Sequence, residues 1–273
     1  MSGETGEKLS GWRRLAFATW RAPQADPSMR GHLVIDAGPA LAYLEQEQAR
    51  RARRITLTHL ALKAVACAVA ADPSVNLRRR GGRLVPRGSV DVSLVVAFDE
   101  GRQQAAITIE HADVKPVADI ASEVEERAGR LRQAGMRDLP RAGRAIDRLP
   151  LPMLRVGLRF FSWLSAERGV DLTRFGFPEY GLRPGGFGSA LVTSVGMLGL
   201  DHGSPLLSPL TRVPIGLLVG QVSERALVVD GAVQARPAFE LSFTIDHRYL
   251  DGWHLGRLAA VLRDYFADPA AFD

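Results

Sequence analysis

Cysteine occurs once in the 273 residues, as Cys67, so no disulfide can close within the chain. Cys67 lies in the run LALKAVACAVAA, where a small buried apolar side chain is the expected role and a reactive thiol the alternative. Lysine is nearly as scarce: Lys8, Lys63 and Lys115 leave 32 of the 35 basic residues as arginine. No stretch approaches the roughly 18 uninterrupted apolar residues of a membrane span. The opening MSGETGEKLSGWRR lacks the apolar core of a secretion signal, and a cytoplasmic location is expected. There is no G-x-S-x-G elbow, Walker loop or dinucleotide fingerprint. LRPGGFG, Leu182 to Gly188, is rich in glycine but leads into a strand rather than a helix, so it lacks the setting in which glycines cradle a phosphate. His247 and His254 stand seven apart with no third ligand at useful spacing and no cysteine near, so no metal site is expected.

What is present suits a folded domain. The chain is 46% hydrophobic and 24% charged, enough apolar material for a sizeable core and too little charge for wholesale disorder. Its net charge is +5. The densest basic cluster is NLRRRGGRLVPRG, Asn76 to Gly88. It reads as a solvated turn between strands, with contact to a phosphorylated ligand as the alternative. No aromatic residues are interleaved with its arginines, so nucleic acid is not an expected partner.

Along the chain, residues 1–30 read as a polar N-terminal arm, with RAPQADPSMRG extended and punctuated by proline. HLVIDAG predicts a strand, followed by a helix from Pro39 to about Arg51 with proline in its first turn. TLTHLALKAVACAVAADP offers a threonine N-cap and a proline stop around a helix apolar on most faces, so it should be buried. SVDVSLVVAFD and QQAAITIEHAD alternate at period two and predict a hairpin across DEGR. KPVADIASEVEERAGRLRQAG has acids early, arginines late and a closing glycine, which suits a helix and its dipole. The segment at about 141–183 is different. LPLPMLRVGLRFFSWLSAERG is apolar but broken by Arg155 and Arg159, and reads as a core or subunit-packing helix pair, or as an exposed docking surface. The last third predicts strands in GSALVTSVG, PIGLLVGQV, RALVVDGAVQA (a hairpin turning at Asp230-Gly231) and AFELSFTID, then a closing helix from Trp253 to about Phe266. This order implies one mixed α/β (α+β) domain over 31–273 with a strand-built second half.

Two clusters could carry chemistry. In FELSFTIDHRYLDG the alternation places Phe239, Leu241, Phe243 and Ile245 on one side, and His247 continues that apolar side. A neutral imidazole there is ready to accept a proton, although a structural histidine is the commoner outcome. Gly252 permits a tight strand-to-helix turn, and Asp251 suits the start of the helix. In LVTSVGMLG, Thr193 and Ser194 end an apolar strand before a glycine-rich turn. Such hydroxyls either satisfy local backbone groups or donate a hydrogen bond to an oxyanion.

Together these clusters resemble one family. DHRYLDG is similar to the His-x-x-x-Asp-Gly signature of the acyltransferase (dihydrolipoyl transacylase) catalytic core of 2-oxoacid dehydrogenase complexes. LSGWRRLAFATW, ITLTHLALKAVACAVAADPSVN, GSVDVSLVVAF, HADVKPVADIASEVEERAGRLRQAGM, LVTSVGMLGLD and LRDYFADPAAF fall collinearly where that family has corresponding segments. The resemblance implies a chloramphenicol acetyltransferase-like two-layer sandwich with a mixed sheet. It implies coenzyme A or acyl-CoA as a substrate. It also implies a homotrimer or a larger cage of trimers whose active sites lie between subunits. His247 then matches the general base acting on a thiol, and Thr193 the oxyanion donor. Asp251 matches an Asp/Asn position that holds the histidine turn or pairs with an arginine, for which Arg13 is the candidate. The sequence departs from the family in three ways. No lysine sits in a lipoate-bearing hairpin context, so no covalent lipoate is expected on this chain and a lipoyl-domain protein would have to act in trans. The hairpin around DEGR lacks the Gly-Leu-x-x-Pro-Val stretch that helps line the family's channel. The segment at 141–183 is an insertion. A stand-alone acyltransferase is the leading expectation. A dehydrogenase core fed in trans and an idle structural trimer or cage are the alternatives.

Overall fold

The computed structural model describes residues 26–51, 54–80, 83–98, 103–135, 149–171, 186–209 and 211–273. In chain order the elements are β1 (Ser28–Asp36), α1 (Gly38–Arg51), α2 (Leu57–Ala71), β2 (Leu77–Arg80), β3 (Arg83–Pro86), β4 (Val92–Phe98), β5 (Gln103–Ile109), α3 (Val117–Gly135), α4 (Leu151–Arg168), β6 (Ala190–Ser194), β7 (Ile215–Val219), β8 (Ser223–Val229), β9 (Ala232–Asp246) and α5 (Gly252–Ala267). Seven strands form one sheet in the order β1-β9-β7-β6-β4-β5, with β8 also paired to β9. β6 runs parallel to both β4 and β7, and the other pairings are antiparallel, so the sheet is mixed as expected.

Helices α1, α2, α3 and α5 pack against one another and against this sheet, completing the second layer. α2 is the centre of that layer. Leu60 to Ala66, Ala68 and Val69 are all buried, which accounts for a sequence apolar on nearly every face. Thr56 caps its N-terminus, and the Nδ1 of His59 accepts from the Thr56 N–H at 3.2 Å. Lys63 is 2% exposed, yet its ammonium donates to the carbonyls of Asp113 and Lys115 at 2.8 Å each, so the buried charge is solvated by backbone dipoles. At the chain's end, the Asp273 carboxylate accepts from the Tyr43 O–H at 2.6 Å and from the Val117 N–H that begins α3, joining α1, α3 and the C-terminus.

Two strand boundaries differ from the sequence expectation. β1 begins at Ser28 rather than near His32, because Ser28 to Gly31 pair with Asp246 to Phe243. The arm expected over 1–30 therefore gives its last three residues to the sheet; residues 1–25 lie outside the described residues, as does Arg13. β9 is a single strand of 15 residues rather than two segments broken before Ala238. Proline cannot donate to a ladder, yet Pro237 lies within the strand. Its carbonyl accepts from the Ala37 N–H at 2.8 Å, so its nitrogen faces the same edge, just past the end of β1, where no donor is required. The turn before β9 is the expected two-residue one, with Asp230 at φ 51° and Gly231 at φ 79°. In the segment read as a helix pair, one helix, α4, stands among the described residues, against β2 of the small β2–β3 hairpin. No helix among the described residues is long and apolar enough to cross a membrane.

Burial, and secondarily the positive charge of Arg54, holds the His59 imidazole down at about 4. The unfolded chain takes up a proton near pH 6.5 while the folded chain resists it. Stability is therefore lost as pH falls from about 6.5 towards 4, by on the order of 2 kcal/mol for this group. Urea unfolding at pH 7.5 and pH 5 should show that loss in the wild type and a smaller one in His59→Gln.

Candidate active site

The last half of β9 is hydrogen-bonded on both edges. β1 pairs with Ala238 to Asp246, and β7 with Leu241 to Ile245. Every residue from Leu241 to Asp246 is buried, polar positions included. The strand ends in a tight turn. The Asp246 N–H donates to Pro214 O at 2.9 Å and the His247 N–H to Pro27 O at 2.8 Å, while Tyr249 and Leu250 N–H fold back onto Asp246 O. The Asp246 carboxylate, buried at the strand end, accepts from the backbone N–H of Arg248 at 3.0 Å and from both Nε and Nη2 of its guanidinium, the latter at 2.6 Å. This pair raises the Arg248 guanidinium above its usual range and clamps the residue between them, His247.

His247 is exposed within the single chain, not set among the apolar side chains of β9 as its place in the alternation suggested. The reason is that the strand ends at Asp246 and the turn carries the imidazole off the sheet. Its Nδ1 lies 2.9 Å from the Leu250 carbonyl. A carbonyl can only accept, so Nδ1 carries the proton and Nε2 presents its lone pair outward. That is the tautomer a general base needs.

Asp251 does not touch His247. It is the N-cap of α5, accepting from the Trp253 and His254 N–H groups at 3.0 and 3.2 Å. The His254 Nδ1 also lies 2.7 Å from its carboxylate and 3.3 Å from its backbone N–H. These bonds, those from His254 foremost, lower the Asp251 carboxyl below its usual range. Asp251 fixes where α5 starts; the other role weighed for it, pairing with Arg13, falls on a residue outside the described ones. Asp246, Arg248 and the Leu250 carbonyl were missed in the sequence. A buried acid ending a strand two residues before an arginine was the available signal for the first two.

Thr193 lies near the end of β6, opposite Leu218 of β7, which is opposite Ser242 of β9. His247 is five residues beyond Ser242. At about 3.3 Å per residue and 4.8 Å per strand, the two side chains start roughly 19 Å apart in one chain. The sheet therefore keeps them separate. Among the described residues the Thr193 hydroxyl makes no hydrogen bond, and Thr193 is half-buried. The loop after it is held firmly. Val195 N–H donates to Val219 O, Gln221 N–H to Leu200 O, and the Gln221 side chain to Asp201 at 2.8 Å, while Arg225 bridges Asp201 and Glu240. The loop crosses so close to Gly220 that a Cβ there would stand 1.7 Å from the Asp201 carbonyl oxygen. On its outer side Met197 is 95% exposed and Leu198 74%.

The family model for the 2-oxoacid dehydrogenases acyltransferase (catalytic domain) matches residues 2–139 and 186–272. This chain belongs to that family. Among curated relatives of the acyltransferase, the acetyltransferase component of the acetoin cleaving system of Bacillus subtilis is 22% identical over 222 residues, covering 81% of this chain and 44% of its own. The chain spans between 17% and 44% of the length of the curated relatives it matches. Among solved structures, a truncated catalytic core of the 2-oxoacid dehydrogenase complex of Thermoplasma acidophilum has a TM-score of 0.66 at 20% identity, covering 98% of this chain and all of that one. The cubic core of a pyruvate dehydrogenase complex has a TM-score of 0.61 at 19% identity, over 90% of this chain and 84% of that chain. These likenesses establish the acyltransferase fold. The family match omits residues 140–185, which include α4.

Gly220→Ala should force the Thr193 loop off the sheet. The expected cost is about 3 kcal/mol, read as a lower thermal midpoint with the α2–α5 helix layer still present by circular dichroism.

Proposed function

We propose that this chain is a CoA-dependent acyltransferase whose active site is completed between neighbouring copies in a trimer, with His247 of one copy facing Thr193 of the next. The observation that carries the reading is the His247 tautomer: Nδ1 is committed to the Leu250 carbonyl, and Nε2 is left as an outward acceptor. The roughly 19 Å between His247 and Thr193 within one chain supports a shared site. So does the exposed apolar surface beside each of them, Trp253 at 62% near the histidine turn and Met197 and Leu198 beyond the threonine. Burial of such side chains favours association.

In this reading Nε2 of His247 takes the proton from the thiol of coenzyme A or of a dihydrolipoamide-like acceptor. The resulting thiolate attacks the carbonyl carbon of the acyl thioester, forming a new C–S bond, and the carbonyl oxygen becomes an oxyanion that accepts from the Thr193 O–H. Collapse breaks the donor C–S bond, and the departing thiolate recovers the proton from Nε2 of His247. Subunit contact also desolvates the exposed imidazole, so the base works out of bulk water. Acyl-CoA is a substrate here, and a lipoyl group, where one is used, would arrive on a separate domain. The site works in the cytoplasm. The second reading is the core of a dehydrogenase complex fed by a lipoyl domain in trans, favoured by the likeness to a cubic core. Its mark would be a particle of many trimers in light scattering, against a bare trimer for the stand-alone enzyme.

Acyl transfer from a panel of acyl-CoAs to free dihydrolipoamide tests the proposal. His247→Ala should lose on the order of 10²–10⁴ in kcat/KM. Thr193→Ala should lose roughly 10²–10³ in kcat, while Thr193→Ser keeps most of it. Turnover that survives His247→Ala would contradict the assignment. Neither turnover nor coenzyme A binding in the wild type would leave a structural trimer or cage.

A further inference from the structure

The family match skips the segment that contains α4, and the two catalytic clusters make no use of that helix. One side of α4 is buried through Leu154, Ser162 and Ser165. Its opposite side, with Leu149 two residues before the helix, exposes Leu149, Met153, Val156, Phe160 and Trp163, the middle three at 61%, 69% and 52%. Their spacing of four, three, four and three places them in one line along the helix. Arg159 and Arg168 are exposed beside this line, and the Arg168 guanidinium covers the Trp163 ring at 5.1 Å. The helix packs on β2, so the hairpin adjoins it and adds exposed Arg79, Arg80 and Arg83 together with Leu84, itself 46% exposed.

Charge is concentrated here. Of the chain's 35 basic and 30 acidic residues, residues 77–87 and 149–168 hold eight arginines and one acid, leaving 27 basic and 29 acidic residues elsewhere. The net positive charge of the protein is thus a property of these two segments.

We propose that α4 and the β2–β3 hairpin form a peripheral docking surface for an anionic lipid bilayer, with α4 lying in the headgroup layer. Two copies of this chain meeting through the surface would bring arginine against arginine. Phe160, Trp163 and Met153 also suit a two-helix seam poorly, because close knobs-into-holes packing prefers Leu and β-branched side chains. A helix with aromatic and aliphatic residues on its outer face and arginines alongside has the composition of an interfacial helix. The hairpin arginines extend the same cationic surface towards acidic headgroups.

Vesicle flotation of the whole chain tests this. The protein should float with phosphatidylcholine–phosphatidylglycerol vesicles at low salt, not with phosphatidylcholine alone, and binding should weaken as salt rises. The double change Phe160→Ser with Trp163→Ser should lower partitioning at least about tenfold. Arg80→Gln and Arg83→Gln together should lower it more than about tenfold. Both variants change exposed positions, so their thermal midpoints and acyl transfer should match the wild type, which separates this surface from the catalytic assignment. No flotation with the acidic vesicles would overturn the proposal. So would flotation undiminished by the aromatic double change, or an oligomer in light scattering that this change dissociates, which would make the surface an interface between copies.

Discussion

The grip on the end of β9 is the constraint from which the site follows. Hydrogen bonding to β1 on one edge and to β7 on the other fixes the strand to its last residue. The buried Asp246 carboxylate then closes the turn through the backbone and guanidinium of Arg248. A carboxylate at such a position is costly unless it is paired, and its partner lies two residues on in the same turn. His247 between them has little freedom left. The Leu250 carbonyl completes its orientation and selects its tautomer. Asp251 begins α5 one residue later, so the helix layer and the sheet meet at His247 and neither can shift without moving it.

The same sheet that orders His247 also holds Thr193 far from it within one chain. Thr193 ends a strand two places away in the order and well back along the register. In the proposed reading proximity comes from a neighbouring copy, and a closed ring would supply every such pair with the same contact. The immobilised loop after Thr193 fits this arrangement. An oxyanion donor is effective only if it is already placed when charge develops, and the Gln221, Asp201 and Arg225 bonds hold that loop before any partner arrives.

Much of this was legible in the sequence because local chemistry and tertiary role agree. α2 announced its burial through a threonine cap, a proline stop and apolar residues on all faces. Asp230-Gly231 could make only a turn with positive φ. The acid at Asp251 signalled the start of α5, and it caps that helix directly. Legibility failed where tertiary pairing overrides local signals. β9 runs on through Pro237, because its nitrogen faces an edge where β1 has already stopped. His247 followed the apolar alternation of β9, yet the turn carries it off the strand into the open. Arg248 two residues after the strand-ending Asp246 was a signal that went unread, because only the turn brings the guanidinium back onto the carboxylate. α4 was the hardest, because an apolar helix with arginines fits a core and a surface equally well until its outer side is seen to be bare.

The central claim is that one active site draws on two copies of the chain, and complementation tests it most directly. His247→Ala and Thr193→Ala subunits, each nearly inactive alone, are unfolded, mixed in equal amounts and refolded together. A shared site needs the histidine of one parent beside the threonine of the other, so the account predicts recovery of about a quarter of wild-type activity in the refolded mixture, from roughly one intact site in each mixed trimer. Activity no greater than the average of the two separate variants, with mixed trimers verified by mass, would contradict it and place both residues in a site made by a single chain.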